Sequence, residues 1–258
     1  MVELAAVLLC GGKGARMLEG GVTTHKPLLS VAGMPSTRYV ITKLLNSNLD
    51  FAQVIVVVPP GREEEYTDAI GDLGCRIVVQ PIALGTGNAV YGVLDDLLAP
   101  IKHVYVSFGT QPLVQNETVE GVLEHHVANG LGFSLATVVM DAPYAPLIRN
   151  DEGVVVGSVE THLEGAEAPT RGETNIGAYW ASRSALDWVL RTLHQNMFDS
   201  NLKRYNTNSG ELGYPNEMVR ACLSAGVGVD GVPIATEEEM MGIKTPETLA
   251  AIREIVGE

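Results

Sequence analysis

Four short apolar runs, rich in β-branched residues, alternate with longer amphipathic stretches in the first half of the chain, and this alternation constrains the fold most. The runs are LAAVLL at 4–9, QVIVVV at 53–58, CRIVV at 75–79 and HVYVSF at 103–108. Runs without polar alternation indicate strands buried on both faces, as in a parallel sheet covered by helices. We predict those helices over 37–47, 63–73, 86–97 and 117–129. The predicted fold class is therefore α/β.

The second half of the chain has a different pattern. Strand-like segments at 132–140, 147–150, 153–160 and 174–181 follow one another too closely for helices between the middle ones. This spacing predicts antiparallel strands added to a mainly parallel, Rossmann-like sheet. Helices at 183–195, 216–225 and 246–256, a strand at 227–232 and an irregular polar loop at 196–213 complete the prediction. We expect one domain over 1–258, built from the halves 1–130 and 131–258.

The charge balance excludes several classes of partner. The chain carries 17 Lys plus Arg against 31 Asp plus Glu, a net charge of −14. Such a chain repels nucleic acid and anionic membranes, so any anionic ligand must be bound by a few placed cations. No stretch reaches about 18 uninterrupted apolar residues, which favours a cytoplasmic protein. Cys10, Cys75 and Cys222 are far apart and form no CxxC pair, which fits a reducing compartment. We expect Cys10 to be partly exposed and the other two to be buried.

A glycine loop, LLCGGKGARM at 8–17, follows the first predicted strand directly. Three glycines in four positions let backbone amides approach a phosphate, and Lys13 and Arg16 add cations. The spacing matches neither the dinucleotide fingerprint GxGxxG nor a Walker loop. By itself, the loop therefore predicts either a phosphate site or a plain tight turn.

A second segment, HKPLLSVAGMP at 25–35, places Lys26 before Pro27, which restricts that lysine to an extended conformation. With the glycine loop it resembles the signature of sugar-1-phosphate nucleotidyltransferases, G-x-G-x-R-[ML] followed by P-K-P-L. The resemblance is strongest to the uridyltransferase domain that makes UDP-N-acetylglucosamine. It continues in order through QPIALGTGNAV at 80–90, VSFGTQPLV at 106–114, GSVE at 157–160, ETNIGAYW at 173–180 and MMGIKTPETLA at 240–250.

The resemblance implies the nucleotide-diphospho-sugar transferase fold and a specific reaction. The phosphate of a sugar 1-phosphate attacks the α-phosphorus of a nucleoside triphosphate, and pyrophosphate leaves. It implies that Arg16 binds the departing pyrophosphate and that Lys26 bridges the two reacting phosphates. Gln80 and Gly85 would read the base, which favours UTP, with dTTP next. The implied nucleotide-binding set is Leu9, Gly11, Gly12, Lys13, Gly14, Ala15, Gln80, Gly85, Thr86 and Thr110.

On the sugar side, the matching residues are Tyr144, Ala145, Glu160 and Asn175. The segment PYAPLI at 143–148 matches the family's G-Y-G-R-I poorly, so a sugar other than N-acetylglucosamine stays open.

The resemblance breaks at the magnesium ligands. The family uses an Asp and an Asn where this chain has Thr110 and Lys244. An Asp with Mg²⁺ carries one net positive charge, as does a Thr with a Lys, so Lys244 is a candidate catalytic cation in place of the metal. Mg²⁺ is left open as a cofactor because its usual ligands are absent. Asp141 or the acids at 237–239 are the candidates for a rebuilt metal site.

Two alternatives remain from the sequence. One is a cytidylyl- or thymidylyltransferase that acts on another phosphorylated small molecule. The other is a catalytically inactive nucleotide-binding module. The histidines indicate structural roles, and His25, beside Lys26, is the one that merits a test. The oligomeric state is not indicated by any pattern.

Overall fold

A computed structural model describes residues 3–12, 21–159 and 169–258. In that part of the chain the helices are α1 (Ser36–Leu45), α2 (Glu63–Ile70), α3 (Thr86–Tyr91), α4 (Asn116–Ala128), α5 (Arg183–Met197), α6 (Pro215–Ser224) and α7 (Pro246–Val256). The strands are β1 (Leu4–Leu9), β2 (Ser30–Val31), β3 (Met34–Pro35), β4 (Phe51–Val58), β5 (Arg76–Val79), β6 (His103–Phe108), β7 (Phe133–Asp141), β8 (Leu147–Arg149), β9 (Val155–Ser158), β10 (Arg171–Ser182), β11 (Phe198–Asp199), β12 (Arg204–Tyr205) and β13 (Val229–Val232).

The central sheet has seven strands in the order β13-β7-β10-β6-β1-β4-β5. Strand β1 runs parallel to β4 and to β6, and β5 runs parallel to β4. Strand β10 is antiparallel to both β6 and β7, while β13 is parallel to β7. The predicted mixed, mainly parallel sheet flanked by helices is confirmed, and strands from both halves of the chain enter it.

Burial on both faces of the sheet explains the apolar runs. All six residues of β1 are buried. Ala5, Val7 and Leu9 pack into the hydrophobic cluster on one face, and Leu4, Ala6 and Leu8 pack into the cluster on the other. Helices α1, α2 and α4 contribute to the second cluster, and α3, α5 and α6 contribute to the first. A polar residue in β1 would lose its hydration on either face, so the run is apolar throughout.

The predicted helices are confirmed, with shorter bounds in two places. Helix α2 ends at Ile70 and is followed by a 3₁₀ turn over Gly71–Leu73, and α3 ends at Tyr91 before Gly92. Helix α7 has the predicted bounds. Its start is set by a capping box between Thr245 and Thr248 with Pro246 in the first turn, and Gly257 ends it in the left-handed conformation.

The prediction of an irregular loop over 196–213 was wrong. Residues 198–205 form a short hairpin, β11 with β12. Tyr205 and Leu212, in the same stretch, are fully buried. Leu212 accepts a hydrogen bond from Gly87 N at 2.8 Å and donates one to Leu84 O at 2.8 Å. This segment, called the 198–214 segment below, therefore packs against the start of α3.

The expected partial exposure of Cys10 was also wrong. Cys10 is only 1% exposed, and its thiol lies 3.6 Å from Thr37 Oγ1. Burial raises the pKa of this thiol to about 11, so it is protonated at physiological pH. Cys222 is buried as predicted, whereas the expected burial of Cys75 was wrong, because this residue is half-buried. Across the described residues, no helix is long and apolar enough to cross a membrane.

Candidate active site

The predicted site residues gather at the carboxyl ends of the parallel strands. Gly11 follows β1, Gln80 follows β5, and Thr110 follows β6. The strand order reverses at β1, because β4 and β5 lie on one side of it and β6 lies on the other. In open α/β sheets the crevice at such a reversal is where ligands bind. The fold therefore places these three residues around one crevice.

Lys26 lies in a short segment next to this crevice, and hydrogen bonds hold that segment in place. It starts a 3₁₀ turn, Lys26–Leu28, in which Pro27 is buried. The first residues of α1 hold that turn near β6. Thr37 Oγ1 donates a hydrogen bond to Pro27 O at 2.8 Å, and Ser36 Oγ donates one to Gly109 O at 2.8 Å. Gly109 follows β6, and its N–H donates to Leu9 O at the end of β1. These bonds connect the Lys26 turn to the ends of both strands.

His25 links the same turn to the glycine loop. It is 7% exposed, and its Nε2 lies 2.9 Å from Gly12 O while its Nδ1 lies 3.0 Å from the hydroxyl of Tyr66. Burial lowers the pKa of His25, so the ring is neutral at physiological pH. The neutral ring donates from Nε2 to Gly12 and accepts the Tyr66 proton at Nδ1. His25 therefore positions the described end of the glycine loop, a role that its place beside Lys26 did not reveal.

Gln80 faces the first glycine of the loop. Its side chain is mostly buried, and a Cβ on Gly11 would lie 2.8 Å from Gln80 Oε1. The Nε2 group donates to Gly85 O at 3.1 Å and to Asn88 Oδ1 at 2.9 Å. A carbonyl can only accept, so the Gly85 contact settles which end of the carboxamide is nitrogen. Oε1 is therefore the atom that Gln80 presents toward Gly11.

The 198–214 segment closes the crevice behind Gly85. Gly85 has a φ of +93°, and a Cβ there would lie 2.3 Å from Leu212 O. Gly87, in the first turn of α3, leaves 2.2 Å between a hypothetical Cβ and Gly213 O. These close approaches of backbone to backbone need glycine at both positions. Thr86, between them, begins α3.

Thr110 and Lys244, which the resemblance matches to metal-ligand positions, lie close together in the structure. Ile243 N donates to Thr110 O at 2.8 Å, which places Lys244 next to the end of β6. The Lys244 ammonium lies over the ring of Tyr144, 5.3 Å from the ring centroid. Tyr144 is 45% exposed. A residue expected to bind the sugar and one expected to bind phosphate are thus in contact.

The other sugar-side residues lie around a bulge in β10. The register of β10 against β7 shifts between Asn175 and Tyr179, and Tyr179 Oη donates to Asn175 Oδ1 at 2.8 Å. Ala145 is buried, and its N–H donates to Thr174 Oγ1 at 3.0 Å. The Ala145 amide and Asn175 Oδ1 are therefore both engaged within the protein, and Asn175 is half-buried. Five predicted residues lie outside the described part of the chain: Lys13, Gly14, Ala15, Arg16 and Glu160.

Among the residues that the structure describes, the donor set at this edge does not fit Mg²⁺. A hard divalent cation takes carboxylate, carbonyl and water oxygens, whereas an ammonium at one ligand position repels it. The described residues contain no group of three or more His, Cys, Asp or Glu that could bind a metal. Two of the acids considered for a rebuilt site have other partners: Asp141 pairs with Arg171 at 2.8 Å, and Glu239 accepts bonds from Gln115 N and Thr236 N.

The fold and this arrangement are those of a nucleotidyltransferase-type protein, with the start of a glycine-rich loop, a lysine and a buried carboxamide around the reversal of an α/β sheet. The chain belongs to the MobA-like NTP transferase domain family, which matches residues 6–163. The resemblance to sugar-1-phosphate nucleotidyltransferases is thereby confirmed at the level of the family.

Similar proteins agree with this assignment. The bifunctional protein GlmU of Geobacter sulfurreducens is 28% identical over 252 residues, which cover 97% of this chain and 50% of that protein. GlmU of Heliobacterium modesticaldum is 33% identical over 188 residues, 72% of this chain and 40% of that protein. The chain spans about half the length of the curated relatives it matches.

Two solved structures share the fold over nearly the whole chain. One is a protein from Bacillus anthracis assigned as a glucose-1-phosphate thymidylyltransferase, with a TM-score of 0.74, 16% identity and coverage of 98% of this chain and 95% of that one. The other is the 4-diphosphocytidyl-2C-methyl-D-erythritol synthase of Anaerococcus prevotii, with a TM-score of 0.67, 11% identity and coverage of 99% and 96%.

Proposed function

We propose that the protein transfers a nucleotidyl group from a nucleoside triphosphate, with UTP favoured, to a sugar 1-phosphate, forming an NDP-sugar and pyrophosphate. The observation that carries the proposal is the placement of Lys26 and Gln80 around the same crevice, one suited to phosphate and the other to a base. The relatives support the class, since glucose 1-phosphate and a thymidylyl group appear in the description of one fold neighbour and a diphosphocytidyl group appears in that of another.

The proposed reaction is an in-line displacement at the α-phosphorus. An oxygen of the sugar phosphate forms a new bond to that phosphorus while the bond to the β-phosphate oxygen breaks, and pyrophosphate leaves with the electron pair. Such transfers need positioning and neutralisation of phosphate charge more than covalent help from the protein. Lys26, held in its hydrogen-bonded turn, would neutralise negative charge on the two reacting phosphates, and Arg16 would bind the pyrophosphate.

UTP is favoured because of the orientation of Gln80. Its Oε1 accepts hydrogen bonds, and uracil carries a donor, N3–H, on the pairing edge. Thymine presents the same donor, so dTTP is the next candidate. The sequence left two other functions open. One is cytidylyl or thymidylyl transfer to another phosphorylated molecule, and the other is nucleotide binding without catalysis. A screen of nucleotides and acceptors distinguishes both from the proposed function.

The first test is a screen of UTP, dTTP, CTP and ATP against a panel of sugar 1-phosphates and other phosphorylated small molecules. Products are resolved by anion-exchange chromatography, with nucleotide binding measured in parallel by calorimetry. We expect an NDP-sugar and an equal amount of pyrophosphate with UTP and at least one sugar 1-phosphate. Tight nucleotide binding with no product across the panel would instead support the binding module. Turnover with only CTP and a different acceptor would support the cytidylyltransferase.

We further propose that the Lys244 ammonium supplies the charge that Mg²⁺ supplies in the family. Lys244 lies beside Thr110, so the charge of a carboxylate and a metal is replaced by that of a hydroxyl and an ammonium at the same edge of the sheet. Removal of one preorganised donor that stabilises developing negative charge typically costs about 10²- to 10³-fold in kcat. Turnover should therefore continue in excess EDTA, whereas Lys244→Met should lower kcat by about 10²-fold.

Two variants control this test, with products again counted by chromatography so that no metal-dependent coupling enzyme is needed. Lys102→Met removes an exposed lysine and should leave kcat within about twofold of the wild-type value. The double variant Thr110→Asp, Lys244→Asn restores the family's ligand types and should turn over only with Mg²⁺. Complete loss of wild-type activity in EDTA, reversed by Mg²⁺, would contradict a lysine in place of the metal.

A further inference from the structure

A chain of side-chain hydrogen bonds runs from Gln80 away from the crevice. Gln80 Nε2 donates to Asn88 Oδ1 at 2.9 Å, and Asn88 Nδ2 lies 3.1 Å from the hydroxyl of Tyr205. The same hydroxyl lies 2.9 Å from Nδ1 of His194. The chain thus connects the end of β5 with α3, the 198–214 segment and α5.

The direction of every bond in this chain follows from its two ends. At one end, Gly85 O accepts from Gln80 Nε2, which fixes the carboxamide of Gln80. At the other end, burial lowers the pKa of His194 and raises the pKa of Tyr205, so the imidazole and the phenol are both neutral at physiological pH. Asn88 Nδ2 donates to the Tyr205 hydroxyl, so His194 Nδ1 is the acceptor that the described structure offers for the Tyr205 proton. All donors then point away from the crevice.

The final acceptor of the chain is itself held in place. The ring of His194 lies between Tyr91 and Phe198, with centroid distances of 4.1 and 4.7 Å and nearly parallel planes. Tyr205 is fully buried, so its hydroxyl is shielded from bulk solvent. A reversed carboxamide at Gln80 would place Oε1 against Gly85 O and against Asn88 Oδ1, which is two acceptor–acceptor contacts.

We propose that Asn88, Tyr205 and His194 are positioning residues that hold Gln80 with Oε1 toward the crevice and thereby make the protein select uracil over cytosine. The inference rests on the proposed function. With Oε1 facing N3 of the base, uracil donates its N3–H, while cytosine presents a lone pair at the same atom. If the Gln80 carboxamide rotates by about 180°, this distinction is lost, because its NH₂ group can then donate to cytosine N3. The 198–214 segment thus determines base choice without touching the base.

The test compares two Tyr→Phe variants of neighbouring, fully buried residues. Tyr205→Phe removes the hydroxyl that connects Asn88 to His194. Tyr214→Phe is the matched control, because Tyr214 Oη has no hydrogen-bond partner in the described structure. For wild type and both variants, Kd for UTP and for CTP is measured by calorimetry, kcat and KM are measured with both nucleotides, and Tm reports folding.

We expect the wild type to bind UTP more tightly than CTP and Tyr205→Phe to lower the ratio of the two affinities about tenfold. The change should appear in Kd and KM rather than in kcat, since the chain does not reach the phosphates. Tyr214→Phe should leave the ratio within twofold. Asn88→Asp, which can still accept from Gln80 and from Tyr205, should keep most of the discrimination.

An unchanged ratio in Tyr205→Phe, an equal loss in Tyr214→Phe, or tighter binding of CTP than of UTP by the wild type would each overturn the inference. The first two results leave the proposed function intact, because the wild type still turns over. A wild-type protein that binds neither nucleotide would overturn both. A Tyr205→Phe protein with unchanged Tm and a lowered ratio supports the positioning role and excludes a general loss of structure.

Discussion

Lys26→Met is expected to lower kcat/KM for the nucleotidyl transfer by about 10³-fold while the protein remains folded. Pro27, in the same turn, makes contacts that hold the turn in place: its side chain is buried, and its carbonyl accepts a hydrogen bond from Thr37. Lys26 itself is only half-buried, so methionine can occupy its place with little change in packing. The loss should therefore come from phosphate charge that is no longer neutralised in the transition state.

The comparison with Lys26→Arg and Lys102→Met separates this explanation from a general effect of charge. Arginine keeps the charge but has a planar, longer head group, so partial recovery is expected from Lys26→Arg. Lys102→Met removes the same charge from an exposed position and should leave kcat/KM within about twofold. If Lys26→Met keeps more than a tenth of the wild-type kcat/KM, Lys26 does not neutralise the reacting phosphates.

Gly87→Ala is expected to reduce the free energy of unfolding by about 2–4 kcal/mol and to weaken nucleotide binding. The added Cβ would lie 2.2 Å from Gly213 O and 2.8 Å from Leu212 Cγ. Gly87 N also donates to Leu212 O, so the 198–214 segment cannot move away without losing that bond. Urea unfolding followed by circular dichroism measures the first effect, and calorimetry with UTP measures the second.

Gly92→Ala is the matched control for this clash. Gly92 follows the same helix in the right-handed conformation, at φ −62° and ψ −16°, and the atoms nearest to a Cβ there are 3.5 Å away. Alanine at such a position is expected to be neutral or to stabilise by up to about 1 kcal/mol. A Gly87→Ala protein as stable as Gly92→Ala would mean that the 198–214 segment does not pack tightly on α3.

The parallel strands and the helices that cover them were predictable because the amino-acid composition of each segment indicates how it is buried. A strand covered on both faces, such as β1, has to be apolar at every position, and Thr245 with Pro246 is a local start signal for α7. The antiparallel pair β8 and β9 followed from the absence of room for a helix between them, but the two strands form a sheet of their own. The candidate lysines came from the resemblance, and their placement at one edge follows from the order of the strands.

The 198–214 segment shows why other features were missed. Its sequence is polar and rich in Asn and Ser, which is typical of loops, yet Tyr205 and Leu212 are completely buried. The burial of Leu212 depends on Gly85 and Gly87, more than a hundred positions earlier, which leave space for backbone contact. The exposure of Cys10 was misjudged for a similar reason, since Thr37 and Gly109 cover its thiol from distant parts of the chain.

By itself, the sequence determined the α/β class, most of the strands and helices and the types of residue available for phosphate chemistry, because periodicity, capping and composition act over a few residues. Only the tertiary structure decided which of those residues meet. It placed Lys244 beside Thr110, His25 between Gly12 and Tyr66, and Gln80 at the end of a hydrogen-bond chain that reaches His194. The hydrogen bond from Ile243 N to Thr110 O, for example, joins residues 133 positions apart along the chain, so no local pattern specifies it.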